Sequence, residues 1–357
     1  MNNNPKIAVV ATGDEIIEGD VINSNGANIA SMLNQAGFNV TQHLAVRDKR
    51  KAITNALQYL MQSHQIIITI GGLGPTCDDI TRESVAEASQ HPLEFSEENW
   101  KSIQSFFKKH QRNIPEGNQQ QAFFPKHAII IPNHRGTAAG CLLYTKNNTW
   151  LMLPGPPSEC LVMMEKQALP QLIEYYRPKK TYRHKWLLLG ASESHIAEKI
   201  NQLKLDQHTE VGYRCHQPYL DIKIKAASEA ILQKDQLLIE SIIDCPLCTG
   251  GHKASDQLLI YLKKNNLSIC DDATGGVLQS LLSQPTTKHH LDFNGNKTDA
   301  TWVITGLSDY WLSKPAHYTY LQITQKKHTV TIKIRNKPKL TPHIAAELIC
   351  HHIITHA

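Results

Sequence analysis

The first half of the chain alternates between short β-branched runs and longer stretches with helical periodicity. KIAVVATG (6–13), QIIITIGG (65–72), AIIIPN (128–133) and TWLMLPG (149–155) are apolar without alternation, the pattern of strands buried on both faces. Between them, KRKAITNALQYLMQSH sets Ile53, Ala56, Leu57, Leu60 and Met61 on one helical stripe. SEENWKSIQSFFKKH carries Glu97 and Glu98 in its first turn and Lys108 and Lys109 in its last, which suits the helix dipole. Strands alternating with helices predict an α/β fold with a mostly parallel sheet and helices on both faces.

The pattern loosens at RPKKTYRHK (177–185), a basic polar segment. After it, KWLLLGASESHIAEKINQL and TEVGYRCHQPYLDIKIKAASE describe a small α+β module, and DCPLCTGGHKASDQ marks a second boundary. The final region holds a helix, the strand-like LSIC, a glycine pair and alternating strands such as HYTYLQIT and HTVTIKIR. Three domains are expected, 1–176, 177–248 and 249–357, from a length of 357 residues and about 100 to 200 residues per domain.

Hydrophobic residues make up 41% of the chain and charged residues 19%, which excludes a disordered protein. No apolar run approaches the roughly 18 residues of a membrane-spanning helix. MNNNPKIAVVATGDE has neither a basic start nor a long apolar stretch, so a cytoplasmic location with no membrane partner is expected. The eight scattered cysteines suit reduced thiols. Only Cys245 and Cys248 have the spacing of a metal or redox pair, and no second such pair accompanies them. Between Asp309 and Glu347 there is no acidic residue, while Lys314, Lys326, Lys327, Lys333, Arg335, Lys337 and Lys339 all occur. Such a tract suits nucleic-acid phosphates or a solvated sheet face whose lysines discourage edge pairing. With a net charge of only +5 the second is the better expectation, and nucleic acid is not an expected partner.

The candidate chemistry falls at the strand ends. In an open parallel sheet, ligands sit beyond the carboxyl ends of the strands, where QIIITI delivers GGLGPTCDD. Gly71, Gly72 and Gly74 permit positive φ and close approach, so successive N–H groups can converge on phosphate oxygens. A helix beginning near Asp79 adds its positive end. Two adjacent carboxylates, Asp78 and Asp79, run against an anion site. Either one serves as a helix N-cap and the other then sits favourably in the first turn, which accounts for one carboxylate better than for two. A second pair, Asp14 and Glu15, follows the first strand and belongs at the same sheet edge. A Mg²⁺-class cation would reconcile carboxylates with phosphates by neutralising both.

Four motifs in this order, TGDEIIEGDVINSN, GGLGPTCDDIT, FFPKHAIIIPNHRGTAAG and LPGPPSE, resemble the N-terminal domain of the CinA family. That domain is similar to the molybdopterin-binding domains of molybdenum-cofactor biosynthesis. The resemblance implies a three-layer α/β sandwich and metal-dependent pyrophosphatase activity on ADP-ribose; in the pterin-binding relatives the same loop holds a pterin phosphate. The matching residues are Gly13, Asp14 and Glu15, then Asn25, then Gly71, Gly72, Gly74, Thr76, Asp78 and Asp79. Gly136 and Thr137 follow, with Pro154, Gly155, Pro156, Pro157, Ser158 and Glu159. The family often has Gly-Asp where this chain has Arg47-Asp48, so only Asp48 carries over, and Arg47 is a phosphate partner or a surface cation. The expected roles place Asp79, with Asp14 or Asp78, on a divalent metal (Mg²⁺, or Mn²⁺ or Co²⁺), while the loop amides hold one phosphate and water attacks phosphorus. Glu15 is either the base or a salt-bridge partner. A small nucleotide substrate and a homodimer are expected on the same grounds. The rival expectation is a nucleotide- or pterin-binding protein without turnover.

GASESHIAEKI and VGYRCHQPYLDIKIKA resemble the middle module of the same family, which has a KH-like topology. The only glycines between 177 and 248 are Gly190 and Gly212, so the GXXG loop that clamps nucleic acid is absent and a structural or dimer-forming role is expected. In the last region CDDATGG (270–276) stands where the family's nicotinamide-nucleotide amidohydrolase has AESCTGG, which puts Asp272 at the position of the serine nucleophile. A carboxylate cannot replace that hydroxyl without changing the chemistry. The lysine-bearing segment that follows in the family is also missing. A truncated, degenerate deamidase domain is expected, without deamidase activity and kept for folding, assembly or nucleotide binding.

Overall fold

The computed structural model describes residues 4–248, 251–287, 289–293, 300–313 and 316–356. Lys314 of the basic tract, Thr249 and Gly250 of the second boundary, and residues 288 and 294–299 of the shortened segment lie outside them. The chain forms two compact units that divide after Thr181.

The first unit runs β1 (Lys6–Thr12), α1 (Asp14–Glu18), α2 (Ser24–Gln35), β2 (Asn39–Val46), α3 (Arg50–Met61), β3 (Ile66–Ile70), α4 (Thr81–Ser89), β4 (Leu93–Phe95) and α5 (Glu97–Lys109). A 3₁₀ segment (Glu116–Ala122), β5 (Phe123–Pro125), β6 (Ile129–Ile131), β7 (Gly140–Tyr144), β8 (Thr149–Leu153), α6 (Pro157–Met163) and α7 (Leu169–Tyr176) follow. Six strands form one sheet in the order β2-β1-β3-β8-β7-β6. β2, β1, β3 and β8 pair in parallel, and β7 and β6 continue the sheet antiparallel.

The three layers follow from strand alternation. Ile7 and Val9 of β1 enter a core with α2, α6 and α7 through Ile29, Leu33, Cys160 and Leu172. Ala8 and Val10 enter the opposite core with α3 and α4 through Ile53, Leu57, Leu60 and Val85. The central positions of β1 and β3 are therefore buried whichever face they point to, which is why neither run alternates. AIIIPN departs from expectation: β6 is an antiparallel edge strand with Ile129 exposed and only Ile131 fully buried. α5 starts as expected, with the Ser96 hydroxyl accepting from the Asn99 N–H at 3.2 Å.

The second unit runs β9 (Tyr182–Leu189), α8 (Glu193–Asn201), β10 (Glu210–His216), β11 (Tyr219–Ala226), α9 (Glu229–Glu240), β12 (Leu247–Cys248), α10 (Ala254–Leu262) and β13 (Leu267–Asp271). It continues with α11 (Val277–Leu282), β14 (Leu291–Asp292), β15 (Trp302–Gly306), α12 (Ser308–Trp311), β16 (Tyr318–Gln325), β17 (His328–Arg335) and α13 (Thr341–His356). An antiparallel sheet β10-β11-β9-β12 is joined by a mixed sheet β14-β13-β15-β16-β17.

The two regions expected on either side of residue 248 share a core. Trp186 and Leu188 of β9 pack with Ile196, Ile200, Leu220, Ile222 and Ile239. Leu187 and Leu189, on the other face, pack with Tyr219, Cys248 and residues of α10 and α13. At that seam the buried Glu347 accepts from the Tyr219 hydroxyl at 2.6 Å and from the Ser255 N–H and hydroxyl at 2.9 Å. A buried carboxylate with three donors ties the segments more specifically than apolar contact alone.

Candidate functional site

β1, β3 and β8 run parallel, so the segments after Thr12, Ile70 and Leu153 leave the sheet at one edge. β6 runs the same way, because β7 is antiparallel to both β6 and β8, and the turn around Gly136 reaches that edge too. These loops enclose a cleft of about 770 Å³, within the size range of small-ligand sites. Glu15, Asn25, Asp78 and Asp79 line it, together with Gly71, Gly72, Gly74, Gly136, Thr137, Gly155, Pro156 and Glu159. Asp48 is also on the wall. Asp14 and Thr76 are not on it. Phe106, Phe107, Arg112, Asn118 and Arg135 line the cleft without having been singled out in the sequence.

The glycine loop does collect an anion, and the anion is the side chain of Asp79. Its Oδ1 accepts from the Gly74 N–H at 2.7 Å, and its Oδ2 accepts from the Thr76 N–H at 2.9 Å and from the Thr76 hydroxyl. A Cβ on Gly74 would fall on that carboxylate. Beneath the loop, Arg82 is 1% exposed and donates to the carbonyls of Leu73 at 2.7 Å and Gly74 at 3.1 Å. Burial pushes the guanidinium down, and the carboxylates of Glu83 and Asp79 push it back up. A carboxylate thus gathers the loop's N–H groups while a guanidinium gathers its C=O groups, satisfying the backbone without regular structure.

This geometry differs from the roles expected of the acidic pairs. The Gly74 and Thr76 amides do not face the cleft as phosphate donors, because Asp79 occupies them. Asp14 sits 3.4 Å from the Arg47 guanidinium, which also reaches Glu18 at 3.0 Å, so Arg47 is a surface cation pairing with its neighbours. The expected trio of Asp14, Asp78 and Asp79 is not gathered round one point: among the described residues no three His, Cys, Asp or Glu side chains are placed to hold one ion. Two more glycines sit against a carboxylate. A Cβ on Gly13 would come within 2.7 Å of Glu15, and one on Gly136 within 2.7 Å of Glu159. Asn133 secures the second pair, donating to Glu159 at 2.7 Å and accepting from the Gly136 N–H at 3.0 Å.

Asp48 is the electrostatically strained group of the cleft. One of its oxygens accepts from the Asp14 N–H at 3.2 Å, and the other is buried without a partner. Burial holds its carboxyl above the ordinary range; the Asp14 N–H offsets part of this, and the charges of Glu15, Asp14 and Asp78 add to it. A raised acid binds its proton more tightly in the folded state, so stability falls as pH rises from the ordinary carboxylate pKa through the folded one. Asp48→Asn is therefore expected to raise the melting temperature at neutral pH. The gain should shrink as unfolding is followed down through the ordinary carboxylate pKa of about 3.9, well below which both states are protonated.

The second candidate loop, CDDATGG, is closed by its own neighbours. Asp271 accepts from the N–H groups of Ala273 at 3.0 Å and Thr274 at 2.9 Å. The Trp311 indole N–H donates to the Ala273 carbonyl at 2.7 Å, and its ring lies against Gly275, where a Cβ would meet it at 2.8 Å. None of the eight cysteines forms a disulfide. Burial pushes the thiols of Cys245 and Cys248 up to about 11, which keeps both protonated at neutral pH. On the basic tract, Lys333 stands over the Tyr318 ring at 4.1 Å. Among the described residues no helix is long and apolar enough to cross a membrane.

Residues 8–174 match the family model described as "Probable molybdopterin binding domain". A protein of Acetivibrio thermocellus whose description contains the words "competence-damage inducible protein" is 32% identical over 288 residues, 77% of this chain and 69% of its own. A "CinA-like protein" of Geobacter metallireducens is 30% identical over 76% of this chain and 69% of its own length. The crystal structure of the protein CinA with unknown function from Thermoplasma acidophilum is 28% identical, covers 48% of this chain and 98% of its own, and superposes with a TM-score of 0.42. The first unit is a molybdopterin-binding-like α/β domain. The chain as a whole belongs to the CinA family.

Proposed function

We propose that the first unit hydrolyses the pyrophosphate bond of ADP-ribose or a close nucleotide analogue with the help of a divalent cation. The supporting observation is a single cleft at the carboxyl edge of a parallel sheet whose walls carry the carboxylates Glu15, Asp48 and Asp78 together with Arg112 and Arg135. A diphosphate entering that acidic wall needs a counter-cation, and Mg²⁺ commonly takes only one or two protein carboxylates besides phosphate oxygens. Hard oxygen donors fit such an ion, and Asp48, with its unpartnered buried oxygen, would hold it together with Glu15 or Asp78. When bound, the cation neutralises the phosphates and polarises phosphorus toward attack. Asp79 and Arg82 shape the floor, Asn25 braces it by donating to the Gly155 carbonyl at 2.6 Å, and Glu15 is an exposed carboxylate available to take a proton from water.

A second reading, ligand binding without turnover, is favoured by the commitment of Asp79 to its own loop. Following AMP release from ADP-ribose with Mg²⁺, Mn²⁺ or Co²⁺ separates the two. Turnover that stops on chelation is the expected result, and saturable binding with no product would leave the binding reading. The second unit is read as non-catalytic, with Trp311 over Gly275, and is expected to leave nicotinamide mononucleotide intact. The reading includes a cytoplasmic homodimer that takes a small nucleotide and no nucleic acid.

A further inference from the structure

The second unit contains a groove of about 1030 Å³, at the upper end of the range for small-ligand sites, about 300–1,000 Å³. One wall is a strand edge. β17 ends the sheet β14-β13-β15-β16-β17, and Ile332, Lys333, Ile334 and Arg335 line the groove in unbroken succession. Neighbouring side chains of a strand point to opposite faces, so consecutive residues border one groove together where the backbone edge faces it. Across the groove stand the turn from β9 into α8 and the loop at Pro218, and α13 contributes Ile344 and Leu348.

The hairpin's pairing settles which backbone groups the edge carries. Lys326 and Lys327 form a two-residue turn with φ 55° at Lys326, and Gln325 stands opposite His328. Such a loop makes its flanking residues a hydrogen-bonded pair, and bonded and non-bonded pairs then alternate along the ladder. Ile332 and Ile334 therefore bond to β16, while Thr329, Thr331, Lys333 and Arg335 turn their N–H and C=O outward. Among the described residues no strand pairs with that side of β17. An edge of this kind is a template for a further strand. Its two faces differ in chemistry. Ile332 and Ile334 belong to the core that α13 supplies with Ile344 and Ile349. Lys333 and Arg335 are exposed on the other face, and among the described residues no carboxylate pairs with either.

We infer that this groove binds an extended peptide that adds as a strand to β17, with acidic side chains opposite Lys333 and Arg335 and apolar ones between them, facing α13. Main-chain hydrogen bonds hold a strand added in this way, and alternate side chains select it. Residues opposite one another on adjacent strands share a face, so the alternation of β17 dictates that of its partner. Charge decides the occupant. A second copy of β17 would bring the same two cations to the edge, whereas an acidic strand turns their repulsion into attraction. A nucleic-acid strand would answer the cations but carries no ladder of N–H and C=O groups to match the edge.

The test is fluorescence anisotropy of the full chain with a dye-labelled, end-capped hexapeptide, Val-Glu-Val-Asp-Val-Glu, and its analogue with lysine at the acidic positions. The acidic peptide is expected to bind roughly tenfold more tightly, and the double variant Lys333→Glu with Arg335→Glu to reverse the order. N-methylation of the three valines blocks one edge of the peptide and N-methylation of the three acidic residues blocks the other. One of these is expected to weaken binding about tenfold and the other to spare it. Thr331→Pro removes an outward donor without removing a bond to β16 and is expected to weaken the acidic peptide about threefold. The peptide comparisons on the unmodified chain stand even where a variant fails to fold. Failure of the acidic peptide to bind, equal affinity for both peptides, or indifference to N-methylation overturns the inference. So does tighter binding of a single-stranded oligothymidine than of the acidic peptide. A dimer that Thr331→Pro dissociates while the acidic peptide does not bind gives the edge to a second copy and overturns it as well.

Discussion

Asp79→Ala is expected to lower the stability of the first unit by about 2–3 kcal/mol, because it strips the acceptor from the Gly74 and Thr76 N–H groups and removes a counter-charge near Arg82. For a unit of this size that is a fall of roughly 5–10 °C in melting temperature. A residue acting only as a metal ligand would do the opposite, since removing a carboxylate from an acidic cleft relieves repulsion. Asp79→Asn sharpens the contrast. Its single carbonyl can serve Gly74, but its amide N–H₂ then faces the Thr76 N–H, so a smaller loss of stability is expected. Thermal unfolding of both variants without ligand checks this, and an unchanged or raised midpoint would remove Asp79 from the loop's support.

The larger effect is expected at Arg82. Arg82→Ala takes the guanidinium donor from two carbonyls, leaving Leu73 only Gln121 and Gly74 only Gln120, each at 3.2 Å, and opens a cavity under the loop; loss of a buried charged partner of this kind costs about 3–5 kcal/mol. Arg82→Lys keeps the charge but not the two-pronged geometry, since an ammonium cannot reproduce the guanidinium fork. An intermediate loss is expected, measured by urea unfolding. Arg50 is the internal control: it pairs with Glu87 at 3.0 Å on the surface, so Arg50→Ala should cost no more than about 0.5 kcal/mol. Equal effects at the two arginines would contradict the role given to Arg82.

Much of the first unit could be read from hydrophobic pattern, because β1, β3 and β8 are covered on both faces and their central residues are apolar without alternation. The edges were less legible. β2 is half-exposed along its whole length and gives no central-strand signal, whereas AIII reads as a central strand although β6 lies at the edge with only one fully buried residue. The convergence of loops at one sheet edge followed from strand direction alone. What no pattern revealed was the destination of individual side chains. TRES reads as an ordinary first helical turn, yet Arg82 turns inward beneath the loop that precedes it. Asp79 folds back on amides three and five residues earlier, and Asn133 meets Glu159 across 26 residues of sequence. The boundary at 248 was misleading for a similar reason: WLLL in β9 is apolar throughout because two cores use its two faces.

Hydrogen exchange with and without ADP-ribose and Mg²⁺ tests most directly whether the loops at the carboxyl edge of the first sheet form the nucleotide site. Protection is expected in peptides covering 13–25, 71–80, 133–138 and 154–159, with the second unit unchanged. Protection confined to the second unit, or none in those four loops at saturating ligand, would contradict the account.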